Sequence, residues 1–472
     1  MKTKTVITVL LVAFTLPSCI TAVTSVPPTE TVVPTSTFTP VPSATATITP
    51  TPIPTINIEG QNIPDPHFTN PELFNLDKPN APIPQFVHAL NLAGVNVSAK
   101  NISESLIYKA VKAKNGDSAV LVMTTDLPET QYNEGNFPLL IYIKDSKTSE
   151  YAWGVAYLKA VASLHNILIG AVLYGPTEFE FNRQNGMFSN NFNLATIPWS
   201  SVDVPTDIMD RDTEYRLSNI ANDNLKEIMW FHLSTSADSP IFISEDKAVT
   251  FINTEMDDVV RKYGDKMTIA SVLNELNPTP PRTSYKMWKK FGDDYLIRIF
   301  QHAREILPNK KIIYNEAYNY SRNDSMYPYT VEVVNLLKAH HLIDAVGMQM
   351  HMTMNVWAEK MNIDETVSIM QEFGLPVYVT ELDVNQTPMS GTDQEKLIHQ
   401  AQIYENVVRA CVRSGVCEII NFWGQTDTDS WYMFALNEPN SKACLFDENG
   451  IPKLAYYGVL RGLTEGYVPS IP

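Results

Sequence analysis

The chain is poor in basic residues, and this shortage narrows what it can bind. Its 472 residues include 35 Lys and Arg against 52 Asp and Glu, which gives a formal net charge of −17. Nucleic-acid-binding proteins normally present a basic surface, so the balance argues against nucleic acid as a partner. An uncharged polymer needs no complementary charge. The hydrophobic content of 44% is sufficient for a sizeable core.

The N-terminal apolar run is too short to span a bilayer. It extends from Val6 to Leu16, follows a lysine-containing start and precedes Cys19. This order is typical of an export signal and resembles the bacterial lipoprotein processing site. Residues 1–19 therefore predict a cell-surface lipoprotein that contacts the membrane only through lipid on Cys19. Free secretion after an ordinary cleavage is the alternative.

Cysteine is also scarce, with four residues in the whole chain. Apart from Cys19, these are Cys411, Cys417 and Cys444. Cys411 and Cys417 lie close together where a predicted helix ends and a strand begins. An exported protein can keep disulfides, so this pair is a disulfide candidate, and two buried thiols are the alternative.

Composition divides the rest of the chain into three parts. Residues 20–58 are rich in Thr and Pro and predict an extended linker, which suits either a tethered enzyme or a general cell-wall spacer. Residues 59–160 contain short β-like runs and predict a small β-rich accessory region. The third part, residues 161–466, alternates strand-like and helix-like segments.

Eight short apolar runs separated by amphipathic stretches predict an α/β fold, a (β/α)8 TIM barrel behind the β-rich N-terminal unit. The predicted strands are Ile167–Leu173, Phe192–Thr196, Glu227–Leu233, Thr268–Asn274, Lys311–Asn315, Ile343–Gln349, Pro376–Glu381 and Glu418–Gly424. In this fold the functional side chains collect at the C-terminal ends of the strands. We expect a monomer.

Two of these strands end in acids, Glu275 after Asn274 and Glu381 before Asp383. A single Glu is usually a solvated surface charge, but two at strand ends of one barrel point to paired carboxylate chemistry. Glycoside hydrolysis needs one acid that protonates the leaving oxygen and one carboxylate that attacks or activates water. Glu275 and Glu381 are therefore the predicted catalytic residues.

A third strand ends in Gln349 and His351, which strict alternation would place on one face. A neutral His351 could donate to Glu381 while Asp383 holds its other ring nitrogen. Metal binding by His351 is conceivable, but no pair of histidines has ligand spacing, and no metal is predicted.

Aromatic and amide residues near the strand ends suit sugar recognition, because pyranose rings stack on aromatic surfaces. Trp423 and Trp431 flank an acidic loop after the eighth strand, and core packing is the alternative for each. Tyr314 and Asn315, in the fifth strand, are further candidate sugar contacts.

Taken in order, these motifs resemble glycoside hydrolase family 10, the endo-β-1,4-xylanases. The similarity extends over roughly residues 165–462, and the set is far more specific than any single motif. Its parts are Asn274-Glu275, Gly347-x-Gln349-x-His351, Thr380-Glu381-Leu-Asp383, Phe-Trp423-Gly-x-x-Asp427-x-x-Ser430-Trp431, Leu445-Phe-Asp447 and Pro452-Lys453-x-Ala455-Tyr456.

The resemblance implies a retaining double displacement on a polysaccharide or oligosaccharide, without a metal or organic cofactor. It makes Glu275 the acid/base and Glu381 the nucleophile, fixed and charge-tuned by Gln349 and His351. Asn274 would bind the 2-hydroxyl of the reacting sugar, with Trp423 and Trp431 as the walls of that subsite. Some family members also have a disulfide at the position of Cys411 and Cys417.

The second and third strands depart from the family pattern. Residues 192–199 lack the usual Thr-Pro-Glu-Asn and the following Lys, and on strand three only His232 matches one of the family's histidines, the later one. In the family these segments bind sugars on the non-reducing side. The preferred β-glycan therefore stays open, and a catalytically weak or inactive glycan-binding surface protein is the alternative function.

Overall fold

The computed structural model describes residues 52–464, apart from residues 125–135, 149, 174–185, 199–212, 219, 221–224, 226, 232–243, 277, 279–282, 318, 354–360 and 435. The described residues from Ile53 onward form one compact unit. Cys19 and residues 1–51 lie outside the described residues, and the end of the predicted linker, Thr55–Ile58, forms a strand.

The N-terminal part of this unit is rich in strands, as predicted. A hairpin and three helices come first: β1 (Thr55–Ile58), β2 (Gln61–Pro64), α1 (Pro66–Thr69), α2 (Pro82–Leu92) and α3 (Ala99–Glu104). An antiparallel sheet follows in the order β3 (Leu106–Lys112), β4 (Ser118–Thr124), β5 (Pro138–Lys144) and β6 (Tyr151–Val155).

Eight parallel strands then close into a barrel, so the predicted (β/α)8 fold is confirmed. In order around the barrel they are β7 (Leu168–Val172), β8 (Leu194–Pro198), β9 (Glu227–Phe231), β10 (Ile269–Asn274), β11 (Lys311–Glu316), β12 (Ala345–Met348), β14 (Val377–Asn385) and β15 (Cys417–Phe422). The last strand, β15, pairs with the first, β7. A short strand, β13 (His351–Thr353), pairs with the far end of β14.

Helices surround the barrel and pack on it mainly through apolar side chains. They are α4 (Leu158–Ser163), α5 (Met187–Asn191), α6 (Glu245–Tyr263), α7 (Thr283–Phe291), α8 (Asp293–Ile306), α9 (Tyr327–Ala339), α10 (Ile363–Glu372), α11 (Asp393–Ser414), α12 (Trp431–Phe434) and α13 (Leu454–Leu463). In α6 the buried residues recur every three to four positions, from Val249 through Ile252, Met256 and Val259. No described helix is long and apolar enough to cross a membrane.

The inside of the barrel is layered. One apolar side chain from each strand forms a central layer: Val172, Leu194, Met229, Ile269, Ile313, Ala345, Tyr378 and Ile419. Two residues further along six of these strands, a second layer is polar or lacks a side chain: Thr196, Ser271, Asn315, Gly347, Thr380 and Asn421. The second layer is closer to the C-terminal strand ends, where the two predicted catalytic acids lie.

Candidate active site

Glu275 and Glu381 both lie toward the C-terminal ends of barrel strands. Glu275 directly follows β10 and is partly exposed, whereas Glu381 lies within β14 and is 5% exposed. The backbone of Glu275 has a φ of 56°, a left-handed conformation that side-chain-bearing residues rarely adopt. This turn ends the strand and places the two carboxylates in different surroundings.

Each oxygen of Glu381 has a donor. The Asn315 side-chain amide Nδ2 donates to Oε1 at 2.7 Å, and His351 Nε2 donates to Oε2 at 3.1 Å. Both partners are nitrogen donors, and together they stabilise the negative charge of a nearly buried carboxylate.

His351 contacts a carboxylate through each ring nitrogen. Its Nδ1 lies 2.9 Å from Asp383 Oδ1, while Nε2 faces Glu381. Burial lowers the pKa of His351, but the charges and hydrogen bonds of Asp383 and Glu381 outweigh that effect and raise the pKa to about 10. These contacts favour the imidazolium form, which donates on both sides, over the neutral imidazole expected from the sequence. A neutral ring has only one N–H to give.

Asp383 also receives two aromatic donors. Its Oδ2 accepts from Trp431 Nε1 at 2.7 Å, and its Oδ1 accepts from the Tyr432 hydroxyl at 3.3 Å. The rings of Trp431 and Trp423 lie 5.1 and 6.1 Å from the imidazole of His351. Both tryptophans therefore lie beside His351, and Trp423 is 8% exposed and packs in the apolar cluster inside the barrel. Their role as walls of a sugar subsite stays a prediction, and Tyr432 is a contact that the sequence reasoning missed.

Three amides connect the two acids. Gln349 Nε2 donates to Glu275 Oε1 at 3.0 Å and to Asn274 Oδ1 at 3.2 Å. The same Asn274 oxygen accepts from Asn315 Nδ2 at 2.8 Å. Gln349 was predicted to fix Glu381; its side chain contacts Glu275 and Asn274, while its backbone carbonyl oxygen accepts from Glu381 N at 2.9 Å. Asn315 is the amide that contacts Glu381.

The two residues of β11 predicted to bind sugar lie elsewhere. Tyr314 is fully buried in the core between barrel and helices, and its hydroxyl donates to Glu316 Oε2 at 2.5 Å. Burial raises the pKa of Tyr314 well above its ordinary value, so the hydroxyl stays protonated. Asn315 faces the opposite side of the strand and is fully buried inside the barrel. Their prediction as sugar contacts was wrong, because neither side chain is exposed.

Strict strand alternation did not produce this site. β12 ends at Met348 and β13 begins at His351, and between them Met350 has a φ of 59°. The pairing of β14 with β15 also shifts register between Val379 and Leu382, so Thr380 and Glu381 both reach the same Asn315 amide. Irregular backbone at the strand ends turns neighbouring side chains toward one point.

Of two other predicted sites, the disulfide candidate is among the described residues and His232 is not. The sulfur atoms of Cys411, at the end of α11, and Cys417, at the start of β15, are bonded to each other. His232 lies outside the described residues. Within the described ranges, no group of three or more His, Cys, Asp or Glu side chains is arranged to hold a metal ion.

A closed parallel barrel with two acids at its strand ends, one of them held by an amide and an imidazolium, is the arrangement of a barrel glycoside hydrolase. The family model for glycosyl hydrolase family 10 matches residues 213–462. This match covers more than half of the 472 residues, and the chain belongs to that family.

Curated relatives agree with this assignment. Endo-1,4-beta-xylanase B of Thermotoga neapolitana is 27% identical over 227 residues, covering 47% of this chain and 64% of the relative. Endo-1,4-beta-xylanase B of Neocallimastix patriciarum is 28% identical over 244 residues, covering 49% and 26%. The chain therefore spans less than two thirds of the length of either relative.

Solved structures show the same fold. Native xylanase 10B from Thermotoga maritima matches with a TM-score of 0.57 at 22% identity, covering 66% of this chain and 99% of that one. Xylanase 10B from Thermotoga petrophila RKU-1, solved in complex with xylobiose, matches with a TM-score of 0.57 at 24% identity and the same coverage.

Proposed function

We propose that the protein is a retaining glycoside hydrolase that cleaves internal β-1,4 bonds of xylan or a related β-glycan. Glu381 is the nucleophile and Glu275 the acid/base. The observation that supports this assignment best is the asymmetry between the two acids. Glu381 is nearly buried, with a nitrogen donor on each oxygen, whereas Glu275 is partly exposed after its strand.

The reaction has two displacements. In the first, a Glu381 oxygen attacks the anomeric carbon, the glycosidic bond breaks, and Glu275 gives its proton to the leaving oxygen. In the second, Glu275 takes a proton from water, whose oxygen attacks the anomeric carbon and displaces Glu381. Such a mechanism requires the carboxyl groups to lie about 5–5.5 Å apart.

Substrate contacts follow from the amide network. Because Asn274 Oδ1 is held by Gln349 and Asn315, its Nδ2 is the group that can donate to a sugar hydroxyl. Trp423 and Trp431 provide aromatic surface beside His351. The names of the relatives support xylan as the polymer, and the altered second and third strands leave room for another β-glycan.

Replacing Glu381 by Gln removes the nucleophilic charge, so we expect hydrolysis of xylan, arabinoxylan or mixed-linkage glucan to fall at least about 1,000-fold. Release of reducing ends and product sizes measure this change. Glu448→Gln, at an exposed glutamate, is the matched control and should keep full activity.

A wild-type protein that binds xylo-oligosaccharide and releases no reducing ends from any of the three polymers would support the glycan-binding alternative. Activity that survives in Glu381→Gln would remove this residue from its assigned role.

A further inference from the structure

The second, polar layer inside the barrel contains two buried side-chain amides, each next to a glycine. Asn421 on β15 and Asn315 on β11 are both fully buried. A Cβ atom on Gly347 would come within 2.4 Å of Asn315 Oδ1, and one on Gly170 within 2.3 Å of Leu194 Cδ2 and 2.6 Å of Asn421 Oδ1. Glycine at position 347 therefore leaves room for Asn315, and glycine at position 170 leaves room for Leu194 and Asn421 together.

The first amide, Asn421, connects strands β8 and β14. Its Oδ1 accepts from the Thr196 hydroxyl at 2.8 Å, and its Nδ2 donates to the carbonyl oxygen of Thr380 at 2.7 Å. Thr196 and Thr380 are also fully buried. Since Thr380 immediately precedes Glu381, Asn421 holds the peptide that leads into the proposed nucleophile.

The second amide, Asn315, continues the connection. The Thr380 hydroxyl donates to Asn315 Oδ1 at 2.6 Å, and Asn315 Nδ2 donates to Glu381 Oε1. Four hydrogen bonds thus run from Thr196 through Asn421, Thr380 and Asn315 to Glu381. We call this set the barrel chain.

Two oxygen groups in the barrel chain can only accept hydrogen bonds, and they fix the direction of all four bonds. A carboxylate oxygen of Glu381 accepts, so Asn315 must present its NH2 there and its oxygen to the Thr380 hydroxyl. A peptide carbonyl accepts, so Asn421 must present its NH2 to Thr380 and its oxygen to the Thr196 hydroxyl. All four donors therefore point toward Glu381, and the last of them ends on the carboxylate oxygen Oε1.

We propose that Thr196, Asn421 and Thr380 are positioning residues that align Asn315 and keep Glu381 in its attacking, ionised form. This role rests on the proposed function of Glu381 as nucleophile. The charged groups that share the site with Glu381 are His351, with Asp383 behind it, and Glu275 across the bridging amides. These groups remain in place in every variant below.

The test uses the full-length chain and isosteric substitutions. In Thr380→Val the hydroxyl is lost, and we expect inactivation by an activated 2-deoxy-2-fluoro-β-xylobioside to slow about tenfold. The acidic limb of the pH profile of kcat/KM should move to higher pH, since this limb reports the free enzyme's ionised base. Thr380→Ser should restore both, and KM should change by less than about twofold because uniform binding is retained.

Two further variants separate the barrel chain from general packing. Thr196→Val removes the most distant donor and should produce a smaller effect in the same direction, about twofold to threefold. Ser271→Ala lies in the same buried layer on β10 but outside the barrel chain, and it should leave both the rate and the pH limb unchanged.

Mass spectrometry of the inactivated wild type distinguishes the two claims. Label on Glu381, together with an unchanged inactivation rate and pH limb in soluble Thr380→Val and Thr196→Val, would overturn the barrel chain alone. Absence of label from Glu381 would overturn the proposed function, and the positioning role with it.

Discussion

At the scale of single residues, His351 shows how two acids determine the state of a third group. Its ring lies between Asp383 and Glu381, and its side chain is 18% exposed. Each ring nitrogen has an acceptor, so retention of both protons is favoured over loss of one. The raised pKa favours a cation next to the proposed nucleophile, at a pH where most histidines are neutral.

This charge state makes stability depend on pH. The pKa of His351 is raised from 6.5 to about 10, so its contribution is complete below pH 6.5 and is lost as the pH rises toward 10. We therefore expect the free energy of unfolding of the wild type to fall relative to that of His351→Gln across this interval. Urea unfolding at several pH values between the two limits measures the difference.

His399→Gln, at an exposed position on α11, is the control and should follow the wild-type curve. Parallel curves for the wild type and His351→Gln throughout the interval would contradict a raised pKa for His351.

At the scale of elements, a helix cap and a disulfide fix the connection between α11 and β15. Helix α11 begins with a capping box between Thr392 and Glu395, and it ends at Gly415, whose φ of 70° is easily adopted by glycine. The bond between Cys411 and Cys417 then closes a loop with a sequence separation of 6. This connection sets where β15, which contains Asn421 and leads to Trp423, enters the barrel.

Removing the disulfide in Cys411→Ala/Cys417→Ala should lower the free energy of unfolding by about 2 kcal/mol, as expected for a loop this short. The site lies at the opposite ends of the strands, so kcat/KM should change little. Urea unfolding and steady-state kinetics test both statements. Wild type treated with a reductant should behave like the double variant, and equal stability of oxidised and reduced wild type would contradict the prediction.

At the scale of the whole molecule, the N-terminal region and the barrel share one hydrophobic core. Phe86 on α2 is fully buried, and its ring lies 5.1 Å from that of Phe137, beside β5, and 4.7 Å from that of Tyr457 on α13. Lys114 N also donates to the carbonyl oxygen of Leu164, just after α4, at 2.7 Å. These contacts favour one cooperative unit over two separately folding parts.

Phe86→Ala should therefore lower the free energy of unfolding by about 3–5 kcal/mol. The loss should shift a single transition in which near-UV and far-UV circular dichroism change together. Phe68→Ala, at a side chain that is 66% exposed, is the matched control and should stay within about 0.5 kcal/mol of wild type. Two separate transitions, with only one shifted by Phe86→Ala, would show that the N-terminal region unfolds independently.

Much of the fold could be predicted because its signals are local. The apolar runs that form the eight barrel strands alternate with amphipathic helices, and five of the runs end at a polar residue: Thr196, Asn274, Asn315, Gln349 and Glu381. The same local signals placed Glu275, Glu381, His351 and Asp383 at one end of the barrel. Thr196, Thr380 and Asn421 could have been noticed as polar residues two positions after apolar ones, on the inward face.

The sequence by itself determined the class of fold, the pair of acids and the family, because periodicity and motif order are written along the chain. The tertiary structure alone decided which side-chain amide contacts which acid, that His351 lies between two carboxylates, that Tyr314 faces the helices, and that the barrel chain exists. Those facts depend on distances between strands far apart in sequence, and on irregular backbone at Glu275 and Met350. The alternation of side chains along a single strand contains no information about these distances or about the irregular backbone.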